Sequence, residues 1–406
     1  MNILVFNCGS SSLKFRLVQM PGDRERVAGE AQRIGPPTAE PSRIVYHVDG
    51  QPADKPVQVP MADHAAAFGE VMKLLAGLKS DGRGGVDAIG HRIAHGGRTF
   101  VRHAIVTDAN LPDLLATAEL APLHNPPAIA IVQECRRIYP TLPQALVFDT
   151  VFHATIPPCA RTYALPAALG SQAGLGLAKY GFHGTSHEYV ARQAAKMLGK
   201  PMDQLNAVSC HLGSGGASLC AIVNGKSVDN TMGYSTLQGL VMSTRCGDLD
   251  PAITLGLLAR SLGDSRKVEP LLSRKCGVLG LSGRSADIRD VLARAATNDG
   301  TDDRQHVAAS IYCWRIRKYL GAYFLVVGRP DAVIFTDTIG ETVPAVRWAV
   351  ACDMATLGLT IDPARNNGAT KLPADIAAEG SPVRALVIAT NEELSIAQYS
   401  YALLSA

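Results

Sequence analysis

The sequence predicts an α/β protein of two domains, and three observations carry that expectation. The chain has 406 residues, more than one hydrophobic core usually organises. Two segments, Ile3–Val18 (ILVFNCGSSSLKFRLV) and Ala207–Val223 (AVSCHLGSGGASLCAIV), share a pattern of strand, Gly/Ser turn and strand. Stretches with helical spacing of apolar residues alternate with these strands. The repeat suggests two related halves that each open a sheet, although two unrelated Gly/Ser hairpins would give the same pattern.

The elements follow in order. Asp63–Leu78 places Phe68, Val71, Met72, Leu75 and Leu78 at helical spacing. Asp81 to Gly85 is a flexible connection. Thr185 and Glu188 form a capping-box pattern ahead of a helix over Tyr189–Leu198, with Gly199 as its stop. Asn224-Gly225 is a two-residue hairpin signal. Ala332–Phe335 reads as a strand, followed by a loop and a helix after Pro344; Ala385–Ile388 is a further strand. Thr390 or Asn391 caps the last helix. In such a protein the loops at strand ends are the expected ligand sites.

Composition narrows the class. Hydrophobic residues at 47% and charged residues at 18% fit a compact soluble enzyme. A net charge of +3 argues for neither nucleic acid nor a membrane surface as partner. No apolar run approaches the ~18 residues of a membrane-spanning helix. The opening MNILVFNCGSSSLKF lacks a basic leader region and reads as a first strand. Nine cysteines, an odd number with no CxxC pair, suggest reduced thiols in a cytoplasmic protein.

Several residues suit phosphoryl chemistry. In Asn7-Cys8-Gly9-Ser10-Ser11-Ser12-Leu13-Lys14, backbone N–H groups and hydroxyls could surround phosphate oxygens, and Lys14 adds a positive charge; a plain hairpin would use the same residues. The second glycine loop, His211-Leu212-Gly213-Ser214-Gly215-Gly216, follows the same logic but lacks the Lys-Ser/Thr ending of a P-loop. Arg92 in GHRIAHGG and Arg245 in MSTRCGDLDP offer planar donor forks for a carboxylate or a transferring phosphoryl group. Asp149 follows an apolar strand in LVFDTVFH, and His183 lies before a helix in YGFHGTSH. Taken singly, each of these residues is more often structural.

In order and over nearly the whole chain, the segments NCGSSSLKF, GHRIAHGG, PLHNPP, FDTVFH, YGFHGTSH, HLGSGG, NGKSVD, TMGYSTLQGL, TRCGDLDP and TNEEL resemble the acetate kinase family, which includes propionate kinases. The resemblance implies the duplicated ribonuclease H-like fold of actin, Hsp70 and sugar kinases, with two domains around a central cleft and a homodimer. It implies a discontinuous split, 1–151 plus about 393–406 and 152–392. It implies transfer of the γ-phosphoryl group of ATP to acetate, giving acetyl phosphate and ADP, with Mg2+ or alternatively Mn2+.

Roles carry over by position. Asn7 and Glu392 resemble the metal-site residues, with Glu393 structural. Ser10, Ser12 and Lys14 resemble part of the phosphate site. Arg92 resembles the residue that binds the acyl carboxylate, Arg245 and His183 the transition-state stabilisers, and Asp149 the catalytic aspartate. His211, Leu212, Gly213, Ser214 and Gly215 resemble a nucleotide phosphate loop; Asp287, Ile288 and Arg289 resemble residues near the adenine and ribose. Ala94, Leu123, Phe182 and Thr236 resemble the lining of the acyl pocket.

The chain also departs from the family pattern. Asp337 and Thr338 stand ahead of Ile339-Gly340-Glu341, where two small residues are usual in the nucleotide motif, and a negative Asp337 is unfavourable near phosphate. Ser214 replaces a usual Asn, and its loop is one residue longer. Ser243 and Cys246 replace a usual Gly and Ser around Arg245; Cys246 reads as a small buried residue or, beside a cation, as a somewhat reactive thiol. Ala94 replaces a usual Val and Thr236 a usual Pro, so that propionate becomes an expected substrate. The alternatives are a kinase preferring propionate or butyrate, one using a donor such as pyrophosphate, and a nucleotide-binding regulatory relative without activity.

Overall fold

The computed structural model describes residues 1–9, 11–35, 40–53, 55–79, 85–122, 124–166, 168–169, 176–296 and 303–406. The connection expected at residues 81–84 lies outside them. Two compact units are present, Met1–Val151 with Asn391–Ala406, and Phe152–Thr390. The chain returns to the first unit at Asn391, a little before residue 393, because Asn391 already caps the last helix: its Oδ1 accepts from the backbone N–H of Leu394 at 3.1 Å.

The first unit holds β1 (Asn2–Cys8), β2 (Ser12–Gln19), β3 (Arg24–Gln32), β4 (Arg43–Val48), the short β5 (Gln51–Pro52) and β6 (Val57–Gln58), β7 (Ala88–Ile93), the short β8 (Ala104–Ile105) and β9 (Gln144–Phe148). They form one sheet in the order β5-β4-β3-β2-β1-β7-β9-β8, with β6 beside β4. β1 to β4 run as an antiparallel meander, whereas β1, β7 and β9 are parallel. Because successive strand residues face opposite ways, each strand divides its side chains between two layers. Leu4, Phe6 and Ile89 pack on Phe68, Val71 and Leu75 of the helix His64–Lys79, and on Ile131 and Cys135 of the helix Asn125–Ile138. Asp63 precedes the first of these helices and caps it, its Oδ1 accepting from Ala66 N at 2.8 Å. On the other face, Ile3, Val5, Ala88 and Val147 pack on Ile396 and Ala397 of the helix Glu392–Leu404. Gly90 lies under that helix, where a Cβ would strike the Ser400 hydroxyl.

The second unit holds β10 (Ala207–Leu212), β11 (Ala217–Val223), β12 (Lys226–Asn230), β13 (Ala332–Thr336), the short β14 (Ala374–Asp375) and β15 (Arg384–Val387), in the order β12-β11-β10-β13-β15-β14. β10 to β12 are antiparallel, and β10, β13 and β15 are parallel. This repeats the arrangement β3-β2-β1-β7-β9 of the first unit, so the chain has the duplicated ribonuclease H-like α/β fold, and the repeated hairpin marks the opening of each half. Asn224 (φ 50°) and Gly225 (φ 72°) make the tight turn between β11 and β12. Val208, Cys210, Val333 and Phe335 pack on the helix Arg304–Val327, and Ala207, Ala332, Ile334 and Leu386 on the helix Gly184–Met197.

Two local expectations are corrected. Thr185 and Glu188 are not a capping box. The helix begins at Gly184, after a left-handed His183 (φ 58°) that makes no side-chain cap. Thr185 and Ser186 are thereby buried in the first turn, and Glu188 pairs with Arg192 instead. Gly199 (φ 64°) ends the helix as expected, with Lys200 N donating to Ala195 O at 3.0 Å. After β13 there is no loop but a helix, Asp337–Thr342, whose first N–H is accepted by Glu341 Oε1 at 2.8 Å.

Candidate active site

In the first unit the polar residues gather where the three parallel strands end. Asn7, Arg92 and Asp149 continue the alternation of Ile3 and Val5, of Ala88 and Gly90, and of Val147, so they share the face covered by the helix Glu392–Leu404. Arg92 Nε donates to both oxygens of Asp149 at 3.1 Å, and Nη2 donates to Oδ2 at 2.6 Å. Arg92 Nη1 donates to Asn7 Oδ1 at 2.9 Å and lies 3.7 Å from Glu392 Oε2. Burial opposes the charge on Arg92, but Asp149 and then Glu392 outweigh it, and the guanidinium pKa is raised. A guanidinium has five N–H groups, so among the described residues one N–H on each terminal nitrogen of Arg92 makes no hydrogen bond.

Glu393, read as structural from sequence, is the nearer partner of Asn7. Asn7 Nδ2 donates to Glu393 Oε1 at 2.9 Å and to Glu392 Oε2 at 3.2 Å. Arg16 closes the group, donating to Asn391 Oδ1 at 2.7 Å and lying 3.7 Å from Glu393 Oε2. Lys14 is the cross-strand partner of Asn7 and therefore stands on the same face, exposed. Ser12 is half-buried, and its carbonyl accepts from Gly9 N at 2.9 Å to close the turn. Ser10 lies outside the described residues. The oxygens of Asn7 and Glu392 are hard donors of the kind Mg2+ takes. Among the described residues no group of three or more His, Cys, Asp or Glu could hold a metal alone. Two such oxygens could give a Mg2+ ion its protein ligands, the rest coming from substrate phosphate and water.

In the second unit the equivalent strand ends carry histidines and serines. His211 on β10 and Ser218 on β11 are cross-strand partners facing the helix Gly184–Met197. Ser218 Oγ lies 2.9 Å from His183 Nδ1 and 2.8 Å from His187 Nε2, and His187 Nδ1 lies 2.9 Å from Ser209 Oγ. His211 Nδ1 lies 2.9 Å from Ser186 Oγ, and its ring stands 4.1 Å from that of His183. His187 is fully buried, and burial, with His153 and His211 nearby, pushes its pKa well below the usual value. Sequence reasoning missed His187; the signal was its i, i+4 spacing from His183 in HGTSH.

Arg245 reaches the same place. A Cβ on Gly216 would lie 3.4 Å from Arg245 Nη1 and 3.5 Å from His183 Nε2, so both side chains converge on the loop Gly213–Gly216. Arg245 Nη1 donates to Thr236 O at 3.4 Å. Burial pushes its pKa down, and among the described residues no carboxylate pairs with it. Its turn is held by the segment 272–278: Cys246 N donates to Leu272 O, and Gly277 (φ 63°) lets that backbone pass where a Cβ would strike Met242 O. The substituted Ser243 and Ser214 meet, the Ser243 hydroxyl donating to the Ser214 carbonyl. Cys246 is half-buried and burial pushes its thiol pKa up, which favours the unreactive reading.

Asp337 lies against the loop, where a Cβ on Gly213 would strike its Oδ2, but its charge is partnered. At φ 62° its carboxylate turns to His211 Nε2 at 3.0 Å and accepts from Thr338 N at 2.6 Å. Burial would raise its pKa, but His211 and these hydrogen bonds hold it well below the usual carboxylate range. Glu341 clasps backbone, accepting from Asp337 N at 2.8 Å and Thr390 N at 2.9 Å. Arg347, fully buried, donates to Gly340 O and Glu341 O at 2.8 Å and so holds the far end of the turn, with Ile339 packed beneath. Asp287 and Arg289 pair with each other at 2.5 Å near the surface, and Ile288 is buried between them. Leu212 and Phe182 are core residues, Ser214 and Gly215 are exposed, Thr236 and Ala94 are half-buried, and Leu123 lies outside the described residues.

Residues 2–398 match the model of the acetokinase family. The chain is 43% identical over 401 residues to the acetate kinase of Acetivibrio thermocellus, covering 98% of each protein. It is 42% identical over 405 residues to that of Dictyoglomus turgidum, covering 98% of this chain and 96% of the relative. Among solved structures, a propionate kinase from Francisella tularensis superposes with a TM-score of 0.87 at 36% identity, over 98% of each chain. The acetate kinase of Porphyromonas gingivalis gives a TM-score of 0.88 at 34% identity, over 99% of each. Fold and sequence together define a class, the kinases of small carboxylates. Within that class, the chain belongs to the acetokinase family.

Proposed function

We propose that this protein is an acetate kinase, transferring the γ-phosphoryl group of ATP reversibly to acetate to give acetyl phosphate and ADP. The observation that carries the reading is Arg245: a half-buried cation beside His183, over a glycine loop, with no carboxylate partner among the described residues. Such a group is costly without an anion, and a transferring phosphoryl group supplies one. The acetate oxygen attacks the γ-phosphorus in line with the leaving ADP, so no nucleophile from the protein is required. Arg92 binds the acyl carboxylate through its two remaining N–H groups, and Asp149 fixes the orientation of the guanidinium. His183 and Arg245 stabilise charge on the equatorial oxygens. Asn7 and Glu392 would hold Mg2+, which neutralises phosphate charge when bound. The backbone and hydroxyls of the loops at Ser12 and Gly213–Gly216, with Lys14, take up phosphate oxygens.

Ala94, smaller than the valine usual in the family, leaves room for one more methylene, worth ~1–3 kcal/mol in an apolar pocket. Propionate is therefore an efficient second substrate. A second reading, a donor such as pyrophosphate, is motivated by Asp337 and Thr338 in the nucleotide motif. We place the enzyme in the cytoplasm, in keeping with nine free cysteines. No helix among the described residues is long and apolar enough to cross a membrane. The assembly is a homodimer: Leu255, Leu262, Trp314 and Leu325, between 66% and 96% exposed, provide apolar surface for a second copy.

The test is acyl phosphate formation trapped with hydroxylamine, using acetate and propionate with MgATP, and pyrophosphate in place of ATP in a parallel set. Turnover with ATP and comparable kcat/KM for the two acids is expected. Activity with pyrophosphate alone would move the donor assignment, a strong preference for acetate would refute the Ala94 argument, and silence with every donor would leave a regulatory relative without activity.

A further inference from the structure

His183 stands at the end of a chain of hydrogen bonds that runs into the interior of the second unit. His187, one helical turn beyond it, lies between two serines of the sheet, Ser209 on β10 and Ser218 on β11. His187 Nδ1 is 2.9 Å from Ser209 Oγ, and its Nε2 is 2.8 Å from Ser218 Oγ. Ser218 Oγ is in turn 2.9 Å from His183 Nδ1. Ser209, Ser218 and His187 are all fully buried.

The direction of the chain follows from its protons. Among the described residues Ser209 Oγ has one hydrogen-bond partner, His187 Nδ1. A buried hydroxyl that accepted there would leave its own proton unpaired, at a cost, so Ser209 donates. Burial keeps His187 neutral, so its single ring proton is on Nε2 and is donated to Ser218 Oγ. Ser218 then has one nitrogen left to donate to, His183 Nδ1. A neutral His183 whose Nδ1 accepts carries its proton on Nε2. That nitrogen faces the glycine loop, where a Cβ on Gly216 would lie 3.5 Å from it and 3.4 Å from Arg245 Nη1. Arg245 brings a full charge to this place, and His183 brings a directed N–H.

We propose that Ser218 is a positioning residue for phosphoryl transfer: backed by His187 and Ser209, its hydroxyl holds His183 in the tautomer whose Nε2–H faces the transferring group. The inference rests on the acetate kinase reading and on the place given there to His183. The other tautomer would turn a lone pair to the phosphoryl oxygens and repel the charge that grows on them, so the chain acts on kcat more than on binding.

Neutron diffraction from deuterated crystals of the wild-type protein at pH 7 reads the proton positions directly. Deuterium is expected on Nε2 of both His183 and His187, with the Ser218 hydroxyl turned to His183 Nδ1 and the Ser209 hydroxyl to His187 Nδ1. Deuterium on His183 Nδ1 would overturn the proposal. In hydroxamate assays with ATP and acetate, Ser218→Ala should lower kcat about tenfold or more, with KM for both substrates changed by less than about twofold. Ser218→Thr keeps the hydroxyl and should recover most of the lost kcat. An Ala variant with wild-type kcat, or a Thr variant as slow as the Ala variant, would also overturn the proposal. Should Ser218→Ala fail to fold, the neutron map of the wild type decides. Wild-type enzyme inactive with every donor would instead remove the reading on which the proposal rests, whatever tautomer the map showed.

Discussion

Replacing Arg92 by Ala separates what the residue does for stability from what it does for the reaction. The change removes three hydrogen bonds to Asp149 and one to Asn7, and Asp149 is only 1% exposed. Breaking a buried, hydrogen-bonded ion pair from one side costs ~3–5 kcal/mol. In a unit of this size that lowers the melting temperature by roughly 6–20 °C. In the role proposed for Arg92, the same change removes a charge-stabilising contact at the reacting groups, worth about 2.7–4 kcal/mol of barrier, or roughly two to three orders of magnitude in turnover. The two losses come apart in the double variant Arg92→Ala, Asp149→Asn, where the carboxylate charge goes together with its partner. Calorimetry should then find most of the stability regained, within ~1–2 kcal/mol of wild type, because the uncompensated buried charge has been removed. Hydroxamate assays should find turnover still at least a hundredfold down. A stable single variant would refute the buried-pair argument, and recovery of turnover in the double variant would refute the role given to Arg92.

Acid should weaken the fold through its buried histidines. Burial lowers the pKa of His91 and of His153 from 6.5 to about 4, so between these values the unfolded chain binds protons that the native chain refuses. Stability is full above pH 6.5 and falls as pH drops toward 4, by up to roughly 3 kcal/mol per histidine; urea titrations at pH 7 and pH 5 measure it, and equal midpoints would contradict it. Arg347→Met should destabilise the second unit by about 3 kcal/mol, since the carbonyls of Gly340, Glu341 and Asn366 lose their donor, and should raise KM for ATP by loosening the turn at Asp337. An unchanged unfolding midpoint would show that those carbonyls are satisfied otherwise.

The parts of the site legible in the sequence are those fixed by short-range chemistry. Asp149 ends an unbroken apolar run, and Asn224-Gly225 supplies two positive φ angles. Arg92 and Arg245 stood in short segments with glycines and other small residues, GHRIAHGG and MSTRCGDLDP. The misread parts depend on contacts far along the chain. Whether Glu392 or Glu393 meets Asn7 depends on the phase of a helix set by Ile396 and Ala397 packing on β1 and β9, and both carboxylates reach it. Glu341 has the composition of a ligand residue, yet its carboxylate is taken by the N–H groups of Asp337 and Thr390, the latter 49 residues away. Thr185 and Glu188 matched a cap by spacing, but a left-handed His183 starts the helix earlier, and that backbone state is not written in the side chains.

The return of Glu392–Leu404 to the first unit has a consequence during synthesis. The ribosome must deliver all of Phe152–Thr390, 239 residues, between β9 and the helix that covers its inner face. At roughly 5–20 residues per second, the nascent sheet waits about 12–50 s with Ile3, Val5, Ala88 and Val147 uncovered. A sticky intermediate of that lifetime is a natural client for a chaperone. Chains that stall before residue 392 would lack Glu392 and keep that apolar face open, so that one helix both brings Glu392 to Asn7 and covers the sheet.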